Sequence, residues 1–136
     1  MTIQGIPNGD ELFAPDAFPS VDLSAPTDCA FVHESLTGLQ IVHVYGDVDL
    51  SSSPAFESAI AEAAQMQAPI VINLEPCNYV DSSVLSALIR LHKTYGDRLW
   101  IVLPKSSPVR RIFAITSLLL ALPIIETITD IHSHRP

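Results

Sequence analysis

The chain has 136 residues, 15 acidic against 7 basic side chains, a formal net charge of −8 and 48% hydrophobic residues. That length supports one domain with a real core rather than two, and the acidic balance excludes a nucleic-acid binder that relies on a basic face. The longest apolar stretch, residues 112–125, contains Thr116, Ser117 and Pro123 and falls short of the roughly 20 residues a membrane span needs.

No Lys or Arg precedes Arg90, and the basic residues then gather between Arg90 and Arg111. Such an asymmetry can give one acidic side that steers a charged partner, or be a solvated and functionally silent feature. Cys29 and Cys77 show neither CxxC nor metal-ligand spacing, as expected of free thiols in a reducing cytosol. The N-terminus lacks a basic start followed by an apolar core and a cleavage site, so no secretion signal is expected and the expected location is the cytoplasm.

Residues 1–27 carry Pro7, Pro15, Pro19 and Pro26 with Gly5 and Gly9 and sustain no period. They are expected to form a flexible N-terminal extension in which Leu12, Phe13 and Phe18 are the side chains able to dock. Cys29 to Ser35 and Leu39 to Tyr45 are β-rich runs around Leu36-Thr37-Gly38, the pattern of a hairpin. His33 and His43 fall at equivalent places on these strands. Zinc would require two further ligands at suitable spacing, and the sequence offers none, so both are read as sheet-surface residues.

Gly46-Asp47-Val48-Asp49 leaves the second strand. Asp47 and Asp49 have the D-x-D spacing of a cation site, a weak signal that a strand-to-helix turn explains equally well. Ser51-Ser52-Ser53-Pro54 then reads as a serine cap with proline at the helix start. Phe56, Ile60, Ala63 and Gln67 define a stripe on that helix, widened by Ala55, Ala59 and Ala64.

Ile70 to Leu74 is a short β-branched run that reads as a buried strand, broken by Pro76 and Asn78. A helix follows Asp81, with Val84, Leu85, Leu88, Leu91 and His92 along one face. It opens on Asp81-Ser82-Ser83, residue types whose side-chain oxygens accept free backbone N–H groups. Hydroxyls at the positive end of a helix dipole can also accommodate a phosphate, although simple capping explains the same residues. Arg98 to Leu103 is a further strand ended by Pro104. Ser106-Ser107-Pro108 opens a helix with Val109, Ile112, Phe113 and Thr116 on its apolar face and Arg110 and Arg111 directed into water. Leu118 to Leu122 reads as a connector and Ile124 to Thr127 as a last strand, with little room for a final helix before the tail at 132–136. Strands alternating with helices after an initial hairpin predict an α/β domain whose mixed, mostly parallel sheet is packed with helices.

The arrangement Val44-Tyr45-Gly46-Asp47-Val48-Asp49, a helix, then Ile70 to Leu74 leading to Tyr79-Val80-Asp81-Ser82-Ser83 resembles the STAS domain of bacterial anti-sigma-factor antagonists. Pro104 to Thr116, Leu118-Leu119 and the strand at Ile124 extend the resemblance, which covers residues 28–131. It implies a non-enzymatic switch without cofactor or metal. The unmodified domain would bind an anti-sigma factor of histidine-kinase-like ATPase fold and so free a sigma factor. The anti-sigma factor would phosphorylate the serine after the motif aspartate, here Ser82, and a metal-dependent serine/threonine phosphatase would reverse the step. By the same resemblance Asp81 would orient the acceptor, Ser83 is the second hydroxyl, and Asp49 matches the acid of the strand-to-helix turn. Val84 stands where the family often has a small residue. Asp49, Asp81, Ser82, Ser83 and Val84 are thus the expected partner-binding residues.

Two other readings compete. A STAS module can serve as a scaffold, sensor or transporter-associated subunit that never carries phosphoserine. An enzyme with Ser82 or Ser83 as nucleophile would need an activating base, but no Gly-x-Ser-x-Gly elbow occurs and no histidine context marks one. The sequence also lacks the Gly-x-x-x-x-Gly-Lys run of a phosphate loop.

Overall fold

The computed structural model describes residues 29–133. The proposed extension at 1–27 and the last residues of the tail, 134–136, lie outside the described residues. Strand β1 (Cys29–Leu36) turns into β2 (Leu39–Val48) through Thr37 and Gly38, with φ of 44° and 81°. A two-residue hairpin turn of the I′ kind has left-handed backbone at both positions, which matches the twist of its strands. Gly38 meets that need at no steric cost, whereas Thr37 is β-branched and bears the strain.

Strand β2 organises the sheet. One of its edges pairs antiparallel with β1, from Leu36↔Leu39 to Cys29↔Gly46. The other edge is divided along its length: Gln40 to His43 run parallel to β3 (Ile70–Asn73), and Gly46 to Val48 run parallel to β4 (Cys77–Val80). β5 (Leu99–Val102) and β6 (Ile124–Ile125) continue the parallel part, giving a six-stranded sheet of order β1-β2-β3-β5-β6 with β4 on β2. The expected α/β class is the observed one, but β4 was not expected, because Pro76 and Asn78 read as strand breakers. A proline removes only its own N–H; the Pro76 carbonyl still accepts from Gly46 N at 3.3 Å, and the register shift at Gly46/Asp47 absorbs the irregularity.

Helix α1 (Ser53–Ala64) has Pro54 in its first turn and buries Phe56, Ile60, Ala63 and Ala64. Gln67 does not extend its stripe: the helix has ended, and Gln67 is exposed in a left-handed conformation, φ 55°. Helix α2 (Ser82–Tyr95) buries Val84, Leu85, Ala87, Leu88 and Leu91 and stops at Gly96, φ 58°, where a 3-10 turn over Gly96–Arg98 leads into β5. These helices cover the sheet face that carries Val42, Val44, Ile70, Ile72 and Ile101. On the opposite face Leu39, Ile41, Val71, Val102 and Ile125 form a smaller cluster closed by Ile131.

The C-terminal third departs most from expectation. Helix α3 (Arg110–Ile115) begins later than Ser106-Ser107-Pro108 because Ser107 Oγ accepts from Val109 N, 3.2 Å, in a turn ahead of it. Arg110 does not point into water: it is half-buried and donates to the Leu103 carbonyl at 2.7 Å. Thr116 is exposed and bonds back to the Ile112 carbonyl, 2.7 Å, at the helix end. The expected connector contains a short helix α4 (Leu118–Ala121) entered through Ser117 at φ 63°. β6 ends at Ile125 because the Asp130 carboxylate takes the next backbone donors, Glu126 N at 3.3 Å and Thr127 N at 3.1 Å. One turn, α5 (Asp130–Ser133), follows. Among the described residues no helix is long and apolar enough to cross a membrane.

Arg98 ties α1 to the α2–β5 corner. Its guanidinium donates to the Ala64 carbonyl at 2.8 Å and to the Ala68 carbonyl at 3.1 and 3.3 Å, and lies 5.7 Å from the centre of the Tyr95 ring. Charge-assisted bonds of this kind contribute more than neutral ones, and one ammonium cannot reproduce the fork. Arg98→Ala is therefore expected to cost about 1.5–3 kcal/mol in urea unfolding, with Arg98→Lys recovering less than half of the loss.

Candidate functional site

Val48 and Val80 are partners at the ends of β2 and β4. The turn that leaves β2 and the start of α2 therefore emerge side by side from the carboxyl end of the sheet. The turn is held by Asp49, whose Oδ1 accepts from Ser51 N at 3.0 Å, Ser51 Oγ at 2.7 Å, Ser52 N at 3.3 Å and Ser52 Oγ at 3.2 Å. The Asp49 N–H donates in return to Ser52 Oγ, 3.0 Å. This hydroxyl thus serves the turn instead of capping α1, which has no side-chain cap bond. The Ser51 hydroxyl is the largest influence on the Asp49 carboxyl; with the Ser52 hydroxyl and the two backbone donors it outweighs the opposing effect of burial and holds the group below its usual range.

Asp81 is the N-cap of α2. Oδ1 accepts from Ser83 N at 2.9 Å, Ser83 Oγ at 2.5 Å and Val84 N at 3.3 Å, while Oδ2 accepts from Leu50 N at 3.0 Å. One carboxylate closes the helix start and staples the β2–α1 turn to it. Burial alone would raise its pKa; the Ser83 hydroxyl and the N–H groups of Val84, Ser83 and Leu50 together outweigh that effect and hold it low.

The five residues expected to bind a partner occupy four kinds of position. Ser82 is exposed, and its hydroxyl has no hydrogen-bond partner among the described residues. Ser83 is half-buried, and its hydroxyl is the one Asp81 orients, where the resemblance had implied the acceptor Ser82. Asp49 and Asp81 are joined through Leu50. Val84 is 0% exposed, so its side chain belongs to the core and cannot present itself to a partner. Its inward turn follows from the 3.6-residue period that places Val84, Leu88 and Leu91 on one face.

Sequence reading missed Leu50, which is 71% exposed beside this centre. It also missed a groove of about 390 Å³ lined by Leu50, Ser53, Pro54, Glu57, Ser86 and Arg90 together with Ser83. Arg90 closes the groove by pairing with Glu57 across α1 and α2 at 2.8 Å. Ser86 and Arg90 were legible in principle, since they stand four and eight residues after Ser82 on one helical stripe. Glu57 was not, because only tertiary packing brings α1 to that stripe. The two histidines make sheet-surface bonds: His43 Nε2 to Glu34 at 2.7 Å, His43 Nδ1 to Asn73 at 2.9 Å, and His33 Nε2 to Gln40 at 2.6 Å. Among the described residues no group of three His, Cys, Asp or Glu is placed to hold a metal ion. Cys77 is buried, which pushes its thiol up to about 11; both cysteines are free.

Loss of the cap should be measurable. Asp81→Ala is expected to lower stability by about 0.5–2 kcal/mol at neutral pH. The folded carboxyl is held low, so its contribution is present above the unfolded value and disappears as pH falls through the folded one. The difference in unfolding free energy between wild type and variant should accordingly shrink below about pH 4, measured by urea titration at a series of acidic pH values.

Comparison with known proteins agrees with this geometry. The family model described as STAS domain matches residues 31–131. No curated protein matches the sequence significantly. Among solved structures, an anti-sigma factor antagonist from Mycobacterium paratuberculosis superposes with a TM-score of 0.68 at 27% identity, covering 78% of this chain and 92% of that one. A putative anti-sigma factor antagonist from Thermotoga maritima gives 0.61 at 16% identity, over 76% and 92% of the two chains. The anti-sigma factor antagonist SpoIIAA in its unphosphorylated form gives 0.56 at 21% identity, over 74% and 91%. The last two are too distant to speak for more than the fold. With the family model spanning most of its length and the sheet and helices described above, the chain belongs to the STAS domain family.

Proposed function

We propose that this protein is an anti-sigma-factor antagonist, a non-enzymatic switch that binds a kinase-type anti-sigma factor when unmodified and is turned off by phosphorylation of Ser82. The observation that supports this reading most directly is the unequal treatment of the two hydroxyls at the start of α2. Ser83 spends its hydroxyl on Asp81, while Ser82 keeps its own exposed and unbonded among the described residues. A similarity of 27% identity to an anti-sigma factor antagonist points the same way.

In this scheme the Ser82 oxygen attacks the γ-phosphorus of ATP held by the partner. The bond to the bridging oxygen breaks, ADP leaves, and the hydroxyl proton passes to a partner base or water. The helix N-terminus favours the new anion by roughly 0.3–1 kcal/mol, so the fold tolerates the modification. The surface does not. A phosphate brings about −1.5 to −2 charges to a helix start that already carries Asp81 and, through the Leu50 link, the Asp49 turn. No Lys or Arg stands before Arg90, which is committed to Glu57. The added charge repels an acidic partner surface or blocks docking at the helix start. The partner-binding surface comprises Asp49, Asp81, Ser82 and Ser83, with Leu50 added and only the backbone of Val84. A serine/threonine phosphatase restores the binding form.

Intact-mass analysis and phosphosite mapping of the protein from its native cells test this. One phosphate is expected, absent in Ser82→Ala and retained in Ser83→Ala. A phosphate on Ser83, or none under any growth condition, would replace the switch with a passive STAS scaffold or transporter-associated module. Ser82→Glu should keep a wild-type melting temperature while losing about tenfold or more in affinity for the co-purifying anti-sigma factor, a loss of at least ~1.4 kcal/mol.

A further inference from the structure

The sheet face turned away from α1 and α2 is covered only in part. Ile131 and Ile128 close it over Leu39, Ile41, Val71, Val102 and Ile125. Among the described residues, the half that belongs to β1, β2 and β4 has no such cover. Val32 is 48% exposed there, Tyr45 44% and Tyr79 50%. The pairings set these side chains next to one another: Val32 opposes His43, and Tyr79 opposes Asp47. Tyr45 stands between His43 and Asp47 on the same face of β2, with its ring centre 6.5 Å from that of His43. Directly opposed residues of the antiparallel β1–β2 pair bring their Cβ atoms to about 4.5–5.5 Å, and Tyr79 extends the patch opposite Asp47 on the parallel partner.

Its charge has one sign. Glu34 pairs with His43 at its edge, and the Asp47 carboxylate is exposed with no hydrogen-bond or ion-pair partner among the described residues. Two tyrosine faces beside an unpaired carboxylate match an arginine, whose planar cation stacks on aromatic rings while its donors meet the acid. Residues 1–28 contain no Lys or Arg and so cannot supply that arginine themselves.

We infer that this open half of the sheet is a second docking surface, separate from the Ser82 helix start, that receives an arginine-bearing segment of a partner protein on Tyr45, Tyr79 and Asp47. The patch adjoins the Ser82 helix start where Asp47 and Tyr79 precede Asp49 and Asp81 by two residues, but it lies on the sheet face opposite the one that α1 and α2 cover.

A short synthetic peptide of alternating arginine and valine, titrated into the isotopically labelled full chain and followed by NMR, tests the assignment. Shifts are expected at Tyr45, Asp47 and Tyr79. Tyr45→Ser combined with Tyr79→Ser should weaken binding about tenfold, and Asp47→Asn several-fold, while Glu62→Gln on exposed α1 changes nothing. Melting temperatures within a degree or so of wild type show that the variants are folded. Three results would overturn the inference: equal losses in Asp47→Asn and Glu62→Gln, which is general attraction to an acidic protein; equal binding of a glutamate–valine peptide; or sedimentation of the free chain as a dimer that the tyrosine variants dissociate, which makes a second copy the occupant.

Discussion

The carboxylate of Asp81 is the point on which the carboxyl end of the sheet depends. A helix begins with backbone donors that have no intrahelical acceptor, and a side-chain oxygen at the N-cap is the usual remedy. Here the remedy extends beyond the helix. One oxygen serves Ser83 and Val84, and the other reaches across to Leu50 in the turn that follows β2. Segments 31 residues apart in sequence are thereby fixed against one another by a single side chain. Donors on both oxygens also keep the group ionised, so the staple and the negative charge are one property.

That arrangement makes the helix start rigid while leaving one hydroxyl accessible. Ser83 is ordered by the cap and contributes to it. Ser82, one residue earlier on the helix, takes no part and stays at the surface. Val84, one residue later, is in the core. Within three consecutive residues the chain passes from solvent to cap to interior, a sequence of environments set by the helical period. Chemistry at the first position need not disturb packing at the third, as a reversible surface switch requires.

Much of the fold was legible because hydrophobic period and punctuation agreed. The β-branched run at Ile70 to Leu74, the proline after the serines at 51–53 and the Asp-Ser-Ser start of α2 each marked an element that the structure forms, although no serine side chain caps α1. The failures share a different cause. β4 was hidden because Pro76 and Asn78 read as local breakers, while the pairing that rescues the strand comes from β2, a remote element. Arg110 was assigned to water because its charge is visible in sequence and the Leu103 carbonyl that receives it is not. The length of β6 was set by Asp130, which withdraws the donors that would have lengthened the ladder. At the site, the residue types were readable and their division of labour was not: nothing in Asp-Ser-Ser says which hydroxyl the acid takes.

The shared edge of β2 has a further consequence. Because β3 and β4 lie end to end on one strand, the residues at 74–76 act as a spacer between two ladders, and a spacer between pleated ladders comes only in whole units. Lengthening or shortening it by one residue would turn β4 over, sending Tyr79 toward the core and Val80 to solvent, and would displace Asp81 along the sheet by about 3.3 Å, beyond reach of the Leu50 N–H. Natural variants of this chain should therefore tolerate changes of residue type in that step while rejecting insertions and deletions, a pattern of length constancy without identity.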